Sequence, residues 1–250
     1  MPRTIIITGG SRGIGFGIAA CFARLGERLV IADVDLAAAD AAAVELNTLG
    51  ARGCFGVRCD VSHRDDAERM VTDVVAHAGR IDVLVNNAGV CPFQEVMDMS
   101  EATWRKTMDI NCTGSFFCTQ AVAKHMISRG GGGRMIFITS LAENVTGPQQ
   151  VDYGASKAGM RMAMVGFATA LGRHGITCNA VAPGMILTDM TKHHWDKPES
   201  AAFIKNRVPV GRIGTPEDIG HAVVFLSSEA AAYISGITIR VDGGHQAVCA

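Results

Sequence analysis

The chain has 250 residues, of which 48% are hydrophobic, 19% are charged and 6% are aromatic. This composition excludes a globally disordered protein and is typical of one α/β domain with an aliphatic core. The formal net charge of −1 provides no long-range field, so we expect neither nucleic acid nor a membrane surface as a partner.

Short β-branched runs alternate with helical segments along the whole chain. The predicted strands are residues 5–8, 29–32, 54–59, 83–86, 134–139, 177–181 and 238–241, with helices at 14–25, 36–49 and 152–172 among the segments between them. This alternation requires crossover connections and therefore a parallel sheet. The sequence predicts one α/β domain over residues 1–250, a doubly wound parallel sheet with helices on both faces.

Two segments interrupt the alternation of strands and helices. The glycine run at 130–133 is interpreted as a helix terminator before a strand and not as a domain boundary. The segment at 189–209 is polar and contains His193, His194 and Trp195. Because long loops in compact domains are usually functional, we predict that this segment is an insertion that covers a substrate site.

A glycine-rich turn, Thr-Gly-Gly-Ser-Arg-Gly-Ile-Gly at residues 8–15, follows the first predicted strand and opens a helix. Its spacing is G-x-x-x-G-x-G, which differs from the standard G-x-G-x-x-G fingerprint. Backbone N–H groups at such a helix start can bind a pyrophosphate. The strand before the turn and an acid after it favour a dinucleotide site over a purely structural turn. The predicted cofactor contacts here are Gly9, Ser11, Arg12, Gly13, Ile14 and Gly15.

The acid is Asp33, which ends the second predicted strand and can accept hydrogen bonds from the adenosine ribose while repelling a 2′-phosphate. It predicts NAD as the cofactor over NADP. Arg12 is the opposing observation, since it is either a cation that contacts a 2′-phosphate or a solvated side chain. Later strand ends also line the ligand crevice of such sheets. They add Asp60 and Val61, followed by Asn87, Ala88 and Gly89, to the predicted cofactor site.

Tyr153 and Lys157 are four residues apart in a predicted helix, so their side chains share one face. An ammonium near a phenol favours the phenolate, which would let the tyrosine exchange a proton with an alcohol near neutral pH. On spacing alone, an ordinary surface pair is the simpler interpretation.

A wider set of motifs resembles the short-chain dehydrogenase/reductases, a family of Rossmann-type oxidoreductases, over essentially the whole chain. The motifs are Thr8-Gly9-x-x-x-Gly13-x-Gly15, Asn86-Asn87-Ala88-Gly89, Asn111, Ser140, Tyr153-x-x-x-Lys157, and Pro183-Gly184 followed by Thr188. Taken singly, Ser140 could cap its strand, Asn111 could satisfy backbone groups at a helix kink and Pro183-Gly184 could be a plain turn. Their joint order and spacing favour the family.

The resemblance implies roles for these residues. Ser140 would hydrogen-bond the substrate oxygen, and Tyr153 would be the catalytic acid and base. Lys157 would bind the nicotinamide ribose and lower the pKa of the tyrosine, while Asn111 would hold a water of the proton relay. The segment that holds the nicotinamide would comprise Pro183, Gly184, Ile186 and Thr188. The resemblance also implies a homodimer or, more often, a homotetramer, and helices rich in small and apolar residues at 111–128 and 153–171 could form its interface.

The candidate substrate residues are unusually polar. They are Ser140, Glu143, Asn144, Gln149, Gln150 and Tyr153, with His193, His194 and Trp195 from the predicted insertion. Because such groups recognise hydroxyls, we predict a sugar or polyol substrate, such as an aldose oxidised to a lactone. The alternatives are an oxoacyl or small-ketone reductase and, from another class, a regulator that binds NAD without catalysis. A regulator would tolerate loss of the tyrosine, lysine or serine, and all three are present.

Eight cysteines are spread along the chain without any C-x-x-C pair, which is typical of small buried side chains. The adjacent His193 and His194 would diverge, and no carboxylate or cysteine completes a metal site with them. The apolar run after the first three residues is too short for a signal peptide, and no later run could span a bilayer. We therefore expect a cytoplasmic protein that binds no metal.

Overall fold

Seven parallel strands form one sheet in the computed structural model, which describes residues 2–188, 191, 192, 204 and 206–248. The strands are β1 (Thr4–Thr8), β2 (Arg28–Asp33), β3 (Phe55–Arg58), β4 (Val83–Asn86), β5 (Gly133–Ile138), β6 (Ile176–Pro183) and β7 (Thr238–Val241). Their order is β3-β2-β1-β4-β5-β6-β7, and all neighbours pair in parallel. The chain thus builds the sheet outward from β1 in both directions, which confirms the predicted doubly wound α/β fold.

Helices cover both faces of this sheet. Those in the described part of the chain are α1 (Gly13–Arg24), α2 (Leu36–Thr48), α3 (Arg64–Ala78), α4 (Glu101–Met108), α5 (Gly114–Arg129), α6 (Val151–Leu171), α7 (Pro216–Leu226) and the single turn α8 (His245–Val248). None of them is long and apolar enough to cross a membrane.

The core consists of two apolar layers, one on each face, because successive strand residues point to opposite sides. On β1, Ile5 and Ile7 pack with residues of α1, α2 and α7, whereas Ile6 packs with residues of α3, α5 and α6. The continuous hydrophobic runs of the strands are the expected consequence of burial on both faces.

The predicted elements that differ from the structure do so at their ends. The predicted strand at 54–59 is shortened to β3. At its start, the side-chain amide of Asn47 binds both backbone groups of Cys54, accepting from its N–H at 2.8 Å and donating to its carbonyl at 3.0 Å. At its end, Cys59 still donates its N–H to the Asp33 carbonyl at 2.8 Å. The glycine run acts as predicted, since α5 ends at Arg129, Gly130 has φ +73° and β5 begins at Gly133. Of the predicted insertion at 189–209, residues 189, 190, 193–203 and 205 lie outside the described residues.

The helix that starts at the glycine turn is fixed by close packing against α7. A Cβ atom on Gly17 would lie 2.2 Å from the Cβ atom of Pro216, and one on Gly220 would lie 2.5 Å from the sulfur of Cys21. The start of α7 is itself rigid, because Thr215 and Asp218 cap it reciprocally and Pro216 occupies its first turn. The two helices can approach this closely only because glycines face the contact.

We therefore expect Gly17→Ala to destabilise the protein by about 1–3 kcal/mol through overpacking. The matched control is Gly166→Ala, also within a helix, where a Cβ atom would meet nothing within 4 Å. It should stabilise slightly, by about 0.5–1 kcal/mol, since alanine favours a helix. Urea denaturation curves measure both changes, and equal midpoints for the two variants would contradict the close contact.

Candidate active site

The glycine turn lies where the strand order reverses, between the carboxyl ends of β1 and β4. Gly9 and Gly13 have φ values of +61° and +56°, a conformation that disfavours other residues. A Cβ atom on Gly9 would lie 2.9 Å from Cα of Ala88, and one on Gly15 would lie 2.3 Å from the Gly9 carbonyl oxygen. The predicted residues of the first turn and of the loop after β4 are therefore brought into direct contact at the position where such sheets bind ligands.

Thr8 and Asn87 join the two loops, and Thr8 was not assigned a role from sequence. The Asn87 amide donates to the carbonyls of Thr8 and Gly9, both at 2.9 Å. In return, the Thr8 hydroxyl oxygen accepts from the N–H groups of Asn87 and Ala88 at 3.0 and 3.1 Å. The signal that could have identified Thr8 is its place as the last residue of a strand before a glycine turn.

The start of α1 fits an anionic ligand. Its first turn contains no acidic residue, so no carboxylate within the helix neutralises the positive end of its dipole. Arg12 precedes the helix and is exposed, and its side chain makes no capping hydrogen bond. Ile14 packs against the core and anchors the turn. A pyrophosphate is therefore compatible with this end of the site.

Asp33 lies at the end of β2, as predicted, and its carboxylate is held by the glycine turn. Its Oδ2 atom accepts from the Ser11 hydroxyl at 2.6 Å and from the Ser11 N–H at 3.4 Å. Its Oδ1 atom accepts from the N–H of Asp35 at 3.3 Å. These contacts orient the carboxylate towards the turn, and Ser11 positions the acid there.

Asp60 and Val61 follow β3. Asp60 accepts hydrogen bonds from the backbone and the hydroxyl of Ser62 at 3.0 and 2.6 Å. Burial raises the pKa of Asp60, but these bonds and the nearby His63 outweigh it and hold that pKa below its usual value. Val61 is buried against Gly114, where a Cβ atom would lie 2.8 Å from the valine Cγ2. Their contact with a cofactor stays a prediction.

The segment after β6 reaches the glycine turn through Thr188, whose Cβ would lie 3.8 Å from a Cβ atom on Gly13. Thr191 holds this segment, since its hydroxyl donates to the Ile186 carbonyl at 2.6 Å and accepts from the Thr188 N–H at 3.0 Å. Sequence reasoning missed Thr191, although its spacing of three residues from Thr188 is a known turn signal.

Pro183 and Gly184 connect β6 to this segment. Gly184 donates its N–H to the Val241 carbonyl at 3.0 Å, and a Cβ atom on Gly184 would lie 2.6 Å from that of Asp242. The glycine is therefore required for contact with the end of β7, and a contact of this pair with the nicotinamide stays a prediction.

Ser140, Tyr153 and Lys157 come together at the end of β5. The Ser140 hydroxyl lies close enough to the Tyr153 phenol to lower its pKa. The Lys157 ammonium donates to the Ile138 carbonyl at 2.8 Å and lies 5.6 Å from the centre of the Tyr153 ring. Ser140 Oγ also accepts from the Ala142 N–H at 3.1 Å, so it caps the turn that follows its strand as well. The predicted catalytic residues are thus neighbours.

Burial shifts the pKa values of Tyr153 and Lys157. It raises the pKa of Tyr153 to about 12, against the opposing effect of the nearby Ser140 hydroxyl. It also lowers the pKa of Lys157 to about 8. The predicted lowering of the tyrosine pKa by the lysine is therefore not a property of the protein alone, because desolvation of the phenol is the larger effect.

Asn111 lies in a π-helical turn, Asp109–Thr113, between α4 and α5. Its amide oxygen accepts from the Val90 N–H at 2.8 Å, and its amide nitrogen donates to the Val90 carbonyl at 2.9 Å and to the Ser156 hydroxyl oxygen at 3.0 Å. The Ser156 hydroxyl donates in turn to the Tyr153 carbonyl at 2.7 Å. Both amide hydrogens of Asn111 are therefore used, and the side chain ties the loop after β4 to the tyrosine helix.

Gly89 lies between Asn111 and Lys157. A Cβ atom on Gly89 would be 3.2 Å from Oδ1 of Asn111 and 3.5 Å from Nζ of Lys157. The missing side chain leaves space beside two polar groups, which is where a water of the predicted relay could lie.

The candidate substrate residues have different surroundings. Asn144 is exposed, whereas the Glu143 side chain is only 2% exposed and lies 3.5 Å from Arg161. The Gln150 amide donates to the sulfur of Cys91 at 3.1 Å, and the Gln149 amide donates a hydrogen bond to the Glu95 carboxylate.

Cys91, which sequence reasoning missed, is close enough to Tyr153 and Lys157 to affect the pKa of each. His193, His194 and Trp195 lie outside the described residues, and the described part contains no cluster of metal ligands.

Filling the space at position 89 should impair turnover. We expect Gly89→Ala to lower kcat by about 10- to 100-fold, because a small displacement of Lys157 or of a relay water misaligns proton transfer. Gly147→Ala is the control, since a Cβ atom there would meet nothing within 4 Å. Steady-state kinetics with a nicotinamide cofactor compare the two, and equal kcat values would contradict a functional role for the space.

Known proteins share the sequence and fold of this chain. A family model described as enoyl-(acyl carrier protein) reductase matches residues 9–246. The L-rhamnose 1-dehydrogenase (NAD(P)(+)) of Azotobacter vinelandii is 41% identical over 98% of this chain and 96% of its own. The 3-oxoacyl-[acyl-carrier-protein] reductase of Synechocystis sp. is 38% identical over 97% of this chain and 96% of its own.

A solved structure of 7α-hydroxysteroid dehydrogenase, complexed with NADH and 7-oxoglycochenodeoxycholic acid, superposes with a TM-score of 0.91. It is 34% identical and covers 97% of this chain and 94% of its own. The matches extend over nearly the whole sequence and include every element that builds the site. The chain is a member of the short-chain dehydrogenase/reductase family and is an oxidoreductase that uses a nicotinamide cofactor.

Proposed function

We propose that the protein is a sugar or polyol dehydrogenase that oxidises an aldose at its anomeric carbon to a lactone, with NAD as the preferred cofactor. The observation that carries this proposal is the 41% identity, over nearly both full lengths, to an L-rhamnose 1-dehydrogenase. An oxoacyl reductase is the second candidate, because the similarity to the Synechocystis reductase is only slightly lower. A regulator without catalysis is disfavoured by the contact between Ser140, Tyr153 and Lys157.

In the proposed mechanism, Tyr153 is the base. The Ser140 hydroxyl holds the substrate oxygen against the phenol, and Tyr153 as phenolate takes the proton of the substrate hydroxyl. An oxidised nicotinamide held in the crevice would supply the acceptor for the hydride of the carbinol carbon, and its positive charge would favour the phenolate. Lys157 contributes a second positive charge, held in place by the Ile138 carbonyl. Asn111 acts by positioning, since it fixes both the loop after β4 and the helix of Tyr153.

A panel of substrates tests the proposed reaction. Purified protein is incubated with NAD⁺ and aldoses, polyols or secondary alcohols while NADH absorbance is followed, and oxoacyl thioesters and small ketones are tested in the reverse direction. We expect the highest kcat/KM with an aldose. Tyr153→Phe should lower that rate by about 10²- to 10⁴-fold while cofactor binding and folding are retained.

Absence of turnover on every sugar, or faster reduction of an oxoacyl thioester, would refute the aldose proposal. Near-normal activity of Tyr153→Phe would refute the role of the tyrosine and leave the substrate assignment untouched.

The preference for NAD rests on the carboxylate of Asp33. A 2′-phosphate about 4 Å away would be repelled by about 1 kcal/mol in water and by about 4 kcal/mol in a partly buried site. We expect Asp33→Asn to raise kcat/KM with NADP, relative to NAD, by at least about fivefold. Asp35→Asn removes an equal charge two residues later and is the control. The proposal is wrong if both variants shift the ratio equally or if neither does.

Assembly and location belong to the same proposal. Phe116 on α5 and Met162 on α6 are exposed apolar residues of the two helices that were predicted to form an interface, which supports a homotetramer or homodimer. The seven cysteines in the described part of the chain are free thiols, which is consistent with a reducing, cytoplasmic compartment.

A further inference from the structure

We propose that Glu143 and Arg161 form an internal ion pair that positions Ser140 against Tyr153, so that both are positioning residues and neither is a substrate ligand. The inference rests on the proposed function only in assigning the contact with the substrate oxygen to Ser140 and proton transfer to Tyr153.

The pair connects the two elements that carry these catalytic residues. Glu143 is the last residue of a short 3₁₀ helix, Leu141–Glu143, which Ser140 caps. Arg161 lies on α6, and it follows Tyr153 and Lys157 at intervals of four residues along one side of the helix. The Arg161 Nε atom is 3.5 Å from Oε1 of Glu143. The ion pair therefore spans from the Ser140 turn to the Tyr153 helix.

The carboxylate of Glu143 is enclosed by protein groups. Its side chain is 2% exposed, whereas that of Arg161 is 41% exposed. The Thr139 hydroxyl at the end of β5 is close enough to lower the pKa of Glu143, and the Asn144 amide lies 3.5 Å from Oε1. Because the buried carboxylate has almost no accessible surface, a sugar hydroxyl could not reach it without displacing the turn that holds Ser140.

Within the described residues, the charged groups that act on Glu143 are positive. Arg161 and Lys157 approach from α6, and Arg240 approaches from β7. Burial nevertheless raises the pKa of Glu143, so the cations compensate the desolvated charge only in part. Oε2 of Glu143 has no hydrogen-bond partner within the described residues. The carboxylate therefore depends on Arg161, its only ion-pair partner in the described part of the chain.

Removing either partner should have unequal effects. Glu143→Gln leaves Arg161, whose partly exposed guanidinium can be solvated. Arg161→Gln leaves a buried carboxylate without its partner, which is the more costly loss. The remaining carboxyl would bind a proton more tightly in the folded protein than in the unfolded chain. Such a carboxyl does not lower the stability of the folded protein at pH values below its unfolded pKa. The loss of stability grows as the pH rises from there through its folded pKa.

The experiment compares the wild type, Glu143→Gln, Arg161→Gln and the double variant. Tm and the kinetics of aldose oxidation are measured at about pH 5 and pH 7.5, each relative to the wild type at the same pH. Arg105→Gln is the control, because it breaks an ion pair with Glu101 in which both side chains are more than 70% exposed.

We expect Arg161→Gln to lower kcat by about 10- to 100-fold at the higher pH, with KM changed by less than about twofold, because Ser140 is displaced relative to Tyr153. Its Tm deficit should be larger at pH 7.5 than at pH 5. The double variant should recover most of the lost Tm and kcat, and Arg105→Gln should resemble the wild type throughout.

A raised KM with unchanged kcat in Glu143→Gln or Arg161→Gln would overturn the proposal in favour of substrate contact. A Tm deficit that does not depend on pH, or losses that add in the double variant, would show that the two side chains are not coupled. If the wild type oxidises no sugar, the proposed function fails, while the Tm measurements still decide whether the ion pair exists.

Discussion

The hydrogen-bonded join between the ends of β1 and β4 is the constraint on which the rest of the site depends. The strand order reverses between these two strands, so their connections leave in opposite directions and open a crevice. Thr8 and Asn87 close the base of that crevice with four hydrogen bonds of 2.9 to 3.1 Å. Glycines at positions 9 and 15 let the two loops meet without side chains between them. The cofactor end of the site is therefore held together by hydrogen bonds of the chain itself.

A hydrogen-bond network connects the loop after β4 to the catalytic tyrosine. Val90 follows the loop and is held at both backbone groups by Asn111, which also binds Ser156, and Ser156 binds the backbone of Tyr153. The position of the tyrosine thus depends on the loop that contacts the glycine turn. A π-helical turn places Asn111 at the centre of this network, in agreement with the frequent use of such turns at functional sites.

Burial sets the electrostatic character of the site. It disfavours the charged forms of Tyr153, Lys157 and Glu143 together, which raises the pKa of the two acids and lowers that of the base. Each group lies beside a specific partner, namely Ser140, the Ile138 carbonyl and Arg161. Several titratable groups perturbed in one place are typical of a functional site, because the protein tolerates their desolvation where chemistry requires it.

The sequence by itself determined the strands, the glycine turn and the pairing of Tyr153 with Lys157, because each depends on residues within a few positions of one another. Hydrophobic runs predict buried strands, and residues four apart on a helix must share a face. Only the tertiary structure decided that Glu143 is buried beside Arg161, that Ser11 holds Asp33 and that Cys91 lies near the tyrosine. In sequence, Glu143 belongs to a polar loop like any other. Its ion-pair partner is a helix residue 18 positions later, and contacts between residues that are distant in sequence form only when the chain has folded.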